Sequence, residues 1–218
     1  MHLDAQEKQQ QPVIKMPQPG VPQIMTLEGK FVRVAYNNEG YVIMGYQTAN
    51  RSLGSPWILL EVGMTVRDGV DDFKLKRDAI SLSTPDGQTV PLPSIEEYRK
   101  ANDAVQPMQQ RERVQRDSID YFPPSVNHGC RLGFFSDLED RAMPWDQVEL
   151  SHERGCLGRL YFPVPGGIKY GQYWLNVKFA KSLVRVPFKI LTEKEEELLG
   201  DHFDDIKKQI DNAFRKKG

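Results

Sequence analysis

"WILLEVGMTV", residues 57–66, decides the fold class. Ile58, Leu60, Val62, Met64 and Val66 fall on one side of an extended chain, with Glu61, Thr65 and the following Arg67 on the other. Successive side chains of a strand point to opposite faces, so this period of two predicts a half-buried strand. "LVRVPFKIL" (183–191) shows the same alternation, Val184, Val186, Phe188 and Ile190 against Arg185, Pro187 and Lys189. Pro187 has no N–H for a ladder, which predicts an edge strand or a bulge at that point.

Working outward, short segments of the same kind appear at "KFVRVAY" (30–36), "GYVIMGYQ" (40–47), "CRLGFFSD" (130–137), "QVELS" (147–151), "GRLYFPVP" (158–165) and "QYWLNVKFA" (172–180). "FKLKRDAISLSTPDG" (73–87) ends in a turn, where Pro85 presets one dihedral and Gly87 accepts a positive one, and the chain returns as "QTVPLP". Eight or nine short strands, turns between them and no strand–helix repeat predict a mainly β chain: an antiparallel β-sandwich spanning 28–191. Residues 94–119 interrupt it. Ser94 and Glu97 form a capping box, and Ile95, Tyr98 and Val105 follow at helical spacing until Pro107 breaks or kinks the run. We read this stretch as a helical insertion beside a sheet.

The ends differ from the middle. Residues 1–27, with Pro12, Pro17, Pro19 and Pro22 among glutamines, read as a flexible arm. Residues 192–218 read as one amphipathic helix, capped by Thr192 and Glu195, with Leu199, Phe203, Ile206, Ile210 and Phe214 on a single stripe. That stripe is expected either to pack on its own domain or to dock on another protein or a second copy of the chain.

Composition excludes some functions. Among 218 residues, 29 basic and 30 acidic side chains give a formal net charge of -1, and there is no basic run. Nucleic acid is therefore not the expected partner, since phosphate binding needs concentrated positive charge. No apolar stretch approaches the ~18 residues of a membrane span. The start, "MHLDAQEKQQQ", has no apolar core of a signal peptide, which fits either a cytosolic protein or a mature exported chain.

The run "WILLEVGMTVRDGVDDFKLKRDAISLSTPDGQTVPL", followed by "LGRLYFPVP" and "YWLNVKFA", resembles the immunoglobulin-like, telokin-like domains of bacterial extracytoplasmic proteins. Phe73, Leu75, Asp86, Gly87, Phe162, Val164 and Pro165 carry the likeness, over residues 30–190 without the insertion. The resemblance implies a non-catalytic binding or scaffolding module that docks on another envelope protein, in the periplasm or secreted. It brings no catalytic residues and no cofactor.

Two short stretches, "NHGC" (127–130) and "SHERGC" (151–156), hold both cysteines and two of the four histidines. Cys130 and Cys156 as a disulfide would stabilise by about 3.5 kcal/mol in the chain-entropy account, and would require an oxidising compartment. Alternatively His128, Cys130, His152 and Cys156 offer sulfur and nitrogen ligands to zinc or copper, or a cysteine nucleophile with a histidine base and Glu153 or Asp137 behind it. The metal spacing lacks a Cys-x2-Cys arm, and no catalytic signature accompanies the cysteines. Asp68, Asp71 and Asp72 offer oxygen ligands for calcium but read more simply as a solvated turn. Among the aromatics, Trp57, Trp145, Tyr170, Tyr173 and Trp174 are candidates for a binding face, with Trp174 nominated as a partner-binding residue.

Overall fold

The computed structural model describes residues 24–136 and 143–215, apart from the side chains of Phe214 and Arg215. The chain is mainly β. Its strands are β1 (Ile24–Gly29), β2 (Val32–Tyr36), β3 (Gly40–Gly45), β4 (Trp57–Val66), β5 (Phe73–Lys76), β6 (Ile80–Ser83), β7 (Thr89–Pro91), β8 (His128–Arg131), β9 (Gln147–Leu150), β10 (Arg154–Pro163), β11 (Gly171–Lys178) and β12 (Leu183–Ile190). The helices are α1 (Gln47–Asn50), α2 (Ile95–Lys100), α3 (Asn102–Val114), α4 (Glu193–Asp201) and α5 (Phe203–Arg215).

A six-stranded sheet runs in the order β1-β2-β3-β4-β10-β8 and a four-stranded sheet in the order β12-β11-β6-β7, while β5 and β9 form a separate pair. All pairings are antiparallel except β8 with β10, which is parallel. The two larger sheets share one hydrophobic core: Leu60, Val62 and Met64 of β4 belong to the same cluster as Leu82, Leu175, Val186 and Phe188. Pro187 lies on β12, an edge strand, where a missing N–H costs no ladder bond on the open side. The predicted hairpin between β6 and β7 turns at Thr84–Gly87, closed by the Gly87 N–H donating to the Thr84 carbonyl, with Gly87 at φ 81.

Several expectations need correction. The sheet begins at Ile24, inside the predicted arm; residues 1–23 lie outside the described residues. Strand β4 is buried on both faces along its whole length, so its polar side is covered too. The insertion breaks at Ala101 rather than at Pro107, which sits inside α3. Helix α3 is not merely solvated either, since Val105, Met108, Gln109 and Glu112, spaced by three, one and three, are buried against the six-stranded sheet. The C-terminal helix is two helices, parted at His202.

Local chemistry explains two of the helix starts and the cover on the sheet. The Ser94–Glu97 and Thr192–Glu195 capping boxes are both complete. On the outer face of the six-stranded sheet, a Cβ on Gly63 would stand 2.8 Å from Phe122, and one on Gly155 would stand 2.9 Å from the same ring. Hydrogen atoms at both positions let residues 117–122 lie flat, with Ile119, Tyr121 and Phe122 packed on Val32, Val34 and Ile43.

Candidate functional site

The covered outer face contains a group of ionisable side chains that the sequence did not announce. Glu61 on β4 stands directly across the ladder from Arg159 on β10. Helix α3 lowers Glu112 onto both, and the chain leaving α3 brings Arg116 and Asp117. Glu112 Oε1 accepts hydrogen bonds from Arg159 Nη2 at 3.0 Å and from Arg116 Nε at 3.1 Å, and Oε2 stands 2.9 Å from the same Nη2 as an ion pair. Glu61 Oε2 accepts the Asp117 N–H at 2.8 Å, while Arg116 Nε approaches its other oxygen at 3.7 Å. The Asp117 carboxylate in turn accepts the Gln47 N–H at 2.8 Å. These groups line a cleft of about 350 Å³, together with Ile119 and Leu157.

Two glutamates in hydrogen-bond contact cannot both ionise cheaply. Burial, and then Glu112, push the Glu61 carboxyl up to about 8 against the pull of the Asp117 N–H. Burial alone would raise Glu112 too, but the hydrogen bonds from Glu61 and Arg159 hold it below its ordinary value. One proton is thus shared, resident on Glu61 at neutral pH. Burial also pushes Asp117 up to about 6.

A raised carboxyl keeps its proton in the folded state while the unfolded chain releases it. Rising pH from about 4.5 to about 8 therefore erodes the stability that Glu61 contributes. Glu61→Gln retains a donor to Glu112 and removes the titration. Its stability advantage over the parent is expected to be near zero at pH 4.5 and to reach about 4 kcal/mol by pH 8, followed by thermal melts across that range. Parallel melting curves for the two proteins would rule out the shared proton.

Could this pair be an acid–base dyad? The side chains of Glu112 and Glu61 are 1% and 6% exposed, and each carboxylate oxygen already faces a donor or a cation. The geometry is that of a clasp holding α3 and residues 116–117 to β4 and β10.

The residues singled out in the sequence sit elsewhere. Cys130 and Cys156 form a disulfide between Cα partners of β8 and β10, with Cα atoms 4.3 Å apart. Both sulfurs are consumed, so neither is a thiolate for a metal or a nucleophile. His128 lies exposed on β8, and His152 Nε2 is 3.9 Å from Glu153 Oε1. No group of three or more His, Cys, Asp or Glu side chains among the described residues is placed to hold a metal ion; Asp137 lies outside them. Asp68, Asp71 and Asp72 belong to the loop between β4 and β5, Asp71 and Asp72 lining a separate hollow beside Lys181.

Leu199, Phe203, Ile206 and Ile210 are half-buried, and α5 lies along β1, where Lys207 Nζ bonds the Leu27 carbonyl and Glu28 at 3.0 Å. The stripe covers an edge strand of its own chain; the Phe214 side chain lies outside the described part. The aromatic candidates do not share one face. Tyr173 and Trp57 are buried, Trp145 packs over Gly133, and Tyr170 is exposed on a turn. Trp174 points away from the core, on the outer face of the four-stranded sheet.

That face is the second candidate. Arg185 Cζ lies 4.7 Å from the centre of the Trp174 ring, and its Nε donates to Asn176 Oδ1 at 3.0 Å. Asn176 Nδ2 donates to Ser83 Oγ at 3.0 Å and Ser81 Oγ at 3.4 Å. Alternation places all of these outward, since Tyr173, Leu175, Val177, Val184 and Val186 take the core side.

Comparison with protein-family models, with curated proteins and with solved structures finds no match. No helix among the described residues is long and apolar enough to cross a membrane.

Proposed function

We propose that this chain is a non-catalytic binding module of immunoglobulin-like architecture that works outside the cytoplasm, in the periplasm or secreted. The observation that carries this reading is the Cys130–Cys156 disulfide, because such bonds persist in oxidising compartments and are reduced in ordinary cytosol. Two features support the non-catalytic part: the cysteines are spent on a crosslink, and the carboxyl pair is enclosed by its own partners. The binding surface we assign is the outer face of β12-β11-β6-β7, centred on Trp174, rather than the α5 stripe, which lies against β1. Docking on another envelope component remains the role that this surface serves.

The test is the intact mass of the protein isolated from the cells that make it, trapped with a thiol-alkylating agent before and after reduction. The expected result is no adduct before reduction and two after it. Two adducts without reduction would place the chain in a reducing compartment and overturn the reading.

A further inference from the structure

The outer strand of a sheet presents backbone groups that can pair with another chain unless something blunts the edge. β12 and β7 carry Pro187 and Pro91, and β8 is four residues long and tied to β10 by the disulfide. β1, six residues at the other end of the six-stranded sheet, has neither a proline nor a cysteine. What lies along it is α5.

The phase of the ladder fixes which groups face outward. The Tyr46 N–H donates to the Phe31 carbonyl at 3.1 Å and the Asn37 N–H to the Gly40 carbonyl at 3.0 Å, so Arg33 and Ala35 bond β3 while Val34 and Tyr36 bond β1. Ile24 and Thr26, opposite Tyr36 and Val34, are thereby joined to β2, whereas Met25 and Leu27 turn both backbone groups away from it. Lys207 Nζ on α5 agrees with this phase: it donates to the outward Leu27 carbonyl, and to Glu28 Oε2 at 3.0 Å. A helix thus occupies the place where the next strand would go.

Its hold is light. No residue of 203–213 is buried; Phe203, Ile206 and Ile210 are half-buried. The Lys207–Glu28 pair is 29% and 24% exposed, so it contributes little and is screened by salt. The start of α4 is fastened more firmly, where Glu196 accepts from Arg51 at 2.6 and 2.7 Å and from Asn50 at 3.2 Å. The helices part at His202, so α5 can swing away while α4 stays.

The edge that α5 covers is self-complementary. Two copies of β1 can run antiparallel about a two-fold axis at Thr26, where Met25 of each exchanges its N–H and C=O with Leu27 of the other. In that register Thr26 meets Thr26, a favourable cross-strand pair, and Glu28 meets Ile24, so no like charges face each other. We propose that α5 guards the β1 edge, and that when it swings away two copies of the chain join edge to edge through β1.

The test is sedimentation velocity and hydrogen exchange of the full disulfide-bonded chain, comparing the parent with a variant carrying Ile206→Asp and Lys207→Glu. These changes remove the bond to Leu27 and set like charge against Glu28. The variant is expected to lose protection over 203–213, to keep it in β1, and to double in mass relative to the parent as protein concentration rises. Adding Met25→Pro, which removes an outward N–H and no bond to β2, should return it to the parent's mass with circular dichroism unchanged. A variant that keeps the parent's mass although α5 has come away would overturn the proposal. So would a dimer that survives Met25→Pro, which would join through another surface such as the bared α5 stripe. An α5 that stays protected in the variant would overturn it too, since the cover would then not be displaceable.

Discussion

Glu112→Ala is expected to destabilise the protein by about 3 kcal/mol at neutral pH, the scale of breaking a buried ion pair from one side. Glu112 accepts from both Arg159 and Arg116 and is itself almost wholly enclosed. Removing its carboxylate takes that acceptor from the Arg159 guanidinium, which is only 15% exposed. Glu61 then loses the Glu112 share of what raises its carboxyl, while burial and the Asp117 charge remain, so it holds its proton less tightly and recovers part of the loss. Two results should therefore appear together: a lower urea midpoint, and flattening of the decline in stability between about pH 4.5 and 8 that Glu61 imposes in the parent. Hydrogen exchange should quicken first in α3 and residues 116–122, the parts that the clasp holds down. A loss below about 1 kcal/mol, with the pH dependence intact, would mean that the pair is not coupled as described.

The second large effect is at the disulfide. Cys130→Ala with Cys156→Ala should cost about 3.5 kcal/mol, since the bond closes a 26-residue separation in the unfolded chain. The damage should be local before it is global. β8 is a four-residue edge strand whose only ladder partner among the described residues is β10, so its amides should lose protection well before those of β4. Denaturant unfolding of the double variant, compared with the reduced parent, measures both terms. Coincident curves for reduced and double-alanine protein, displaced equally from the oxidised parent, are expected. A displacement under about 1 kcal/mol would show that the unfolded chain already keeps this loop closed.

Much of the architecture was legible because it depends on local rules. Alternation in 57–66 and 183–191 marked β4 and β12, Pro187 marked an edge, "TPDG" marked the β6–β7 turn, and Ser94 and Thr192 marked two helix starts. The covered side of β4 was harder to see. Glu61 and Thr65 suggested a wet face, yet Leu59 and Gly63 on the same side of β4 belong under a lid, and the stripe of Val105, Met108, Gln109 and Glu112 was its counterpart. Polar residues at buried helical positions carry no hydropathy signal, so the clasp stayed hidden.

The sequence by itself determined the strand-rich class, the candidate disulfide and the amphipathic character of the C-terminal helix, because periodicity, turn chemistry and cysteine count act over a few residues. Only the tertiary structure decided that β8 runs parallel to β10, bringing Cys130 and Cys156 into register, and that the C-terminal stripe lies on β1. It alone placed Glu61, Glu112 and Arg159 within hydrogen-bonding range across 98 residues of chain, from 61 to 159, and set Arg185 over Trp174 from a neighbouring strand. Those juxtapositions depend on which strands pair and which faces are covered. Both are settled by burying the whole core at once, a collective requirement that no single segment records.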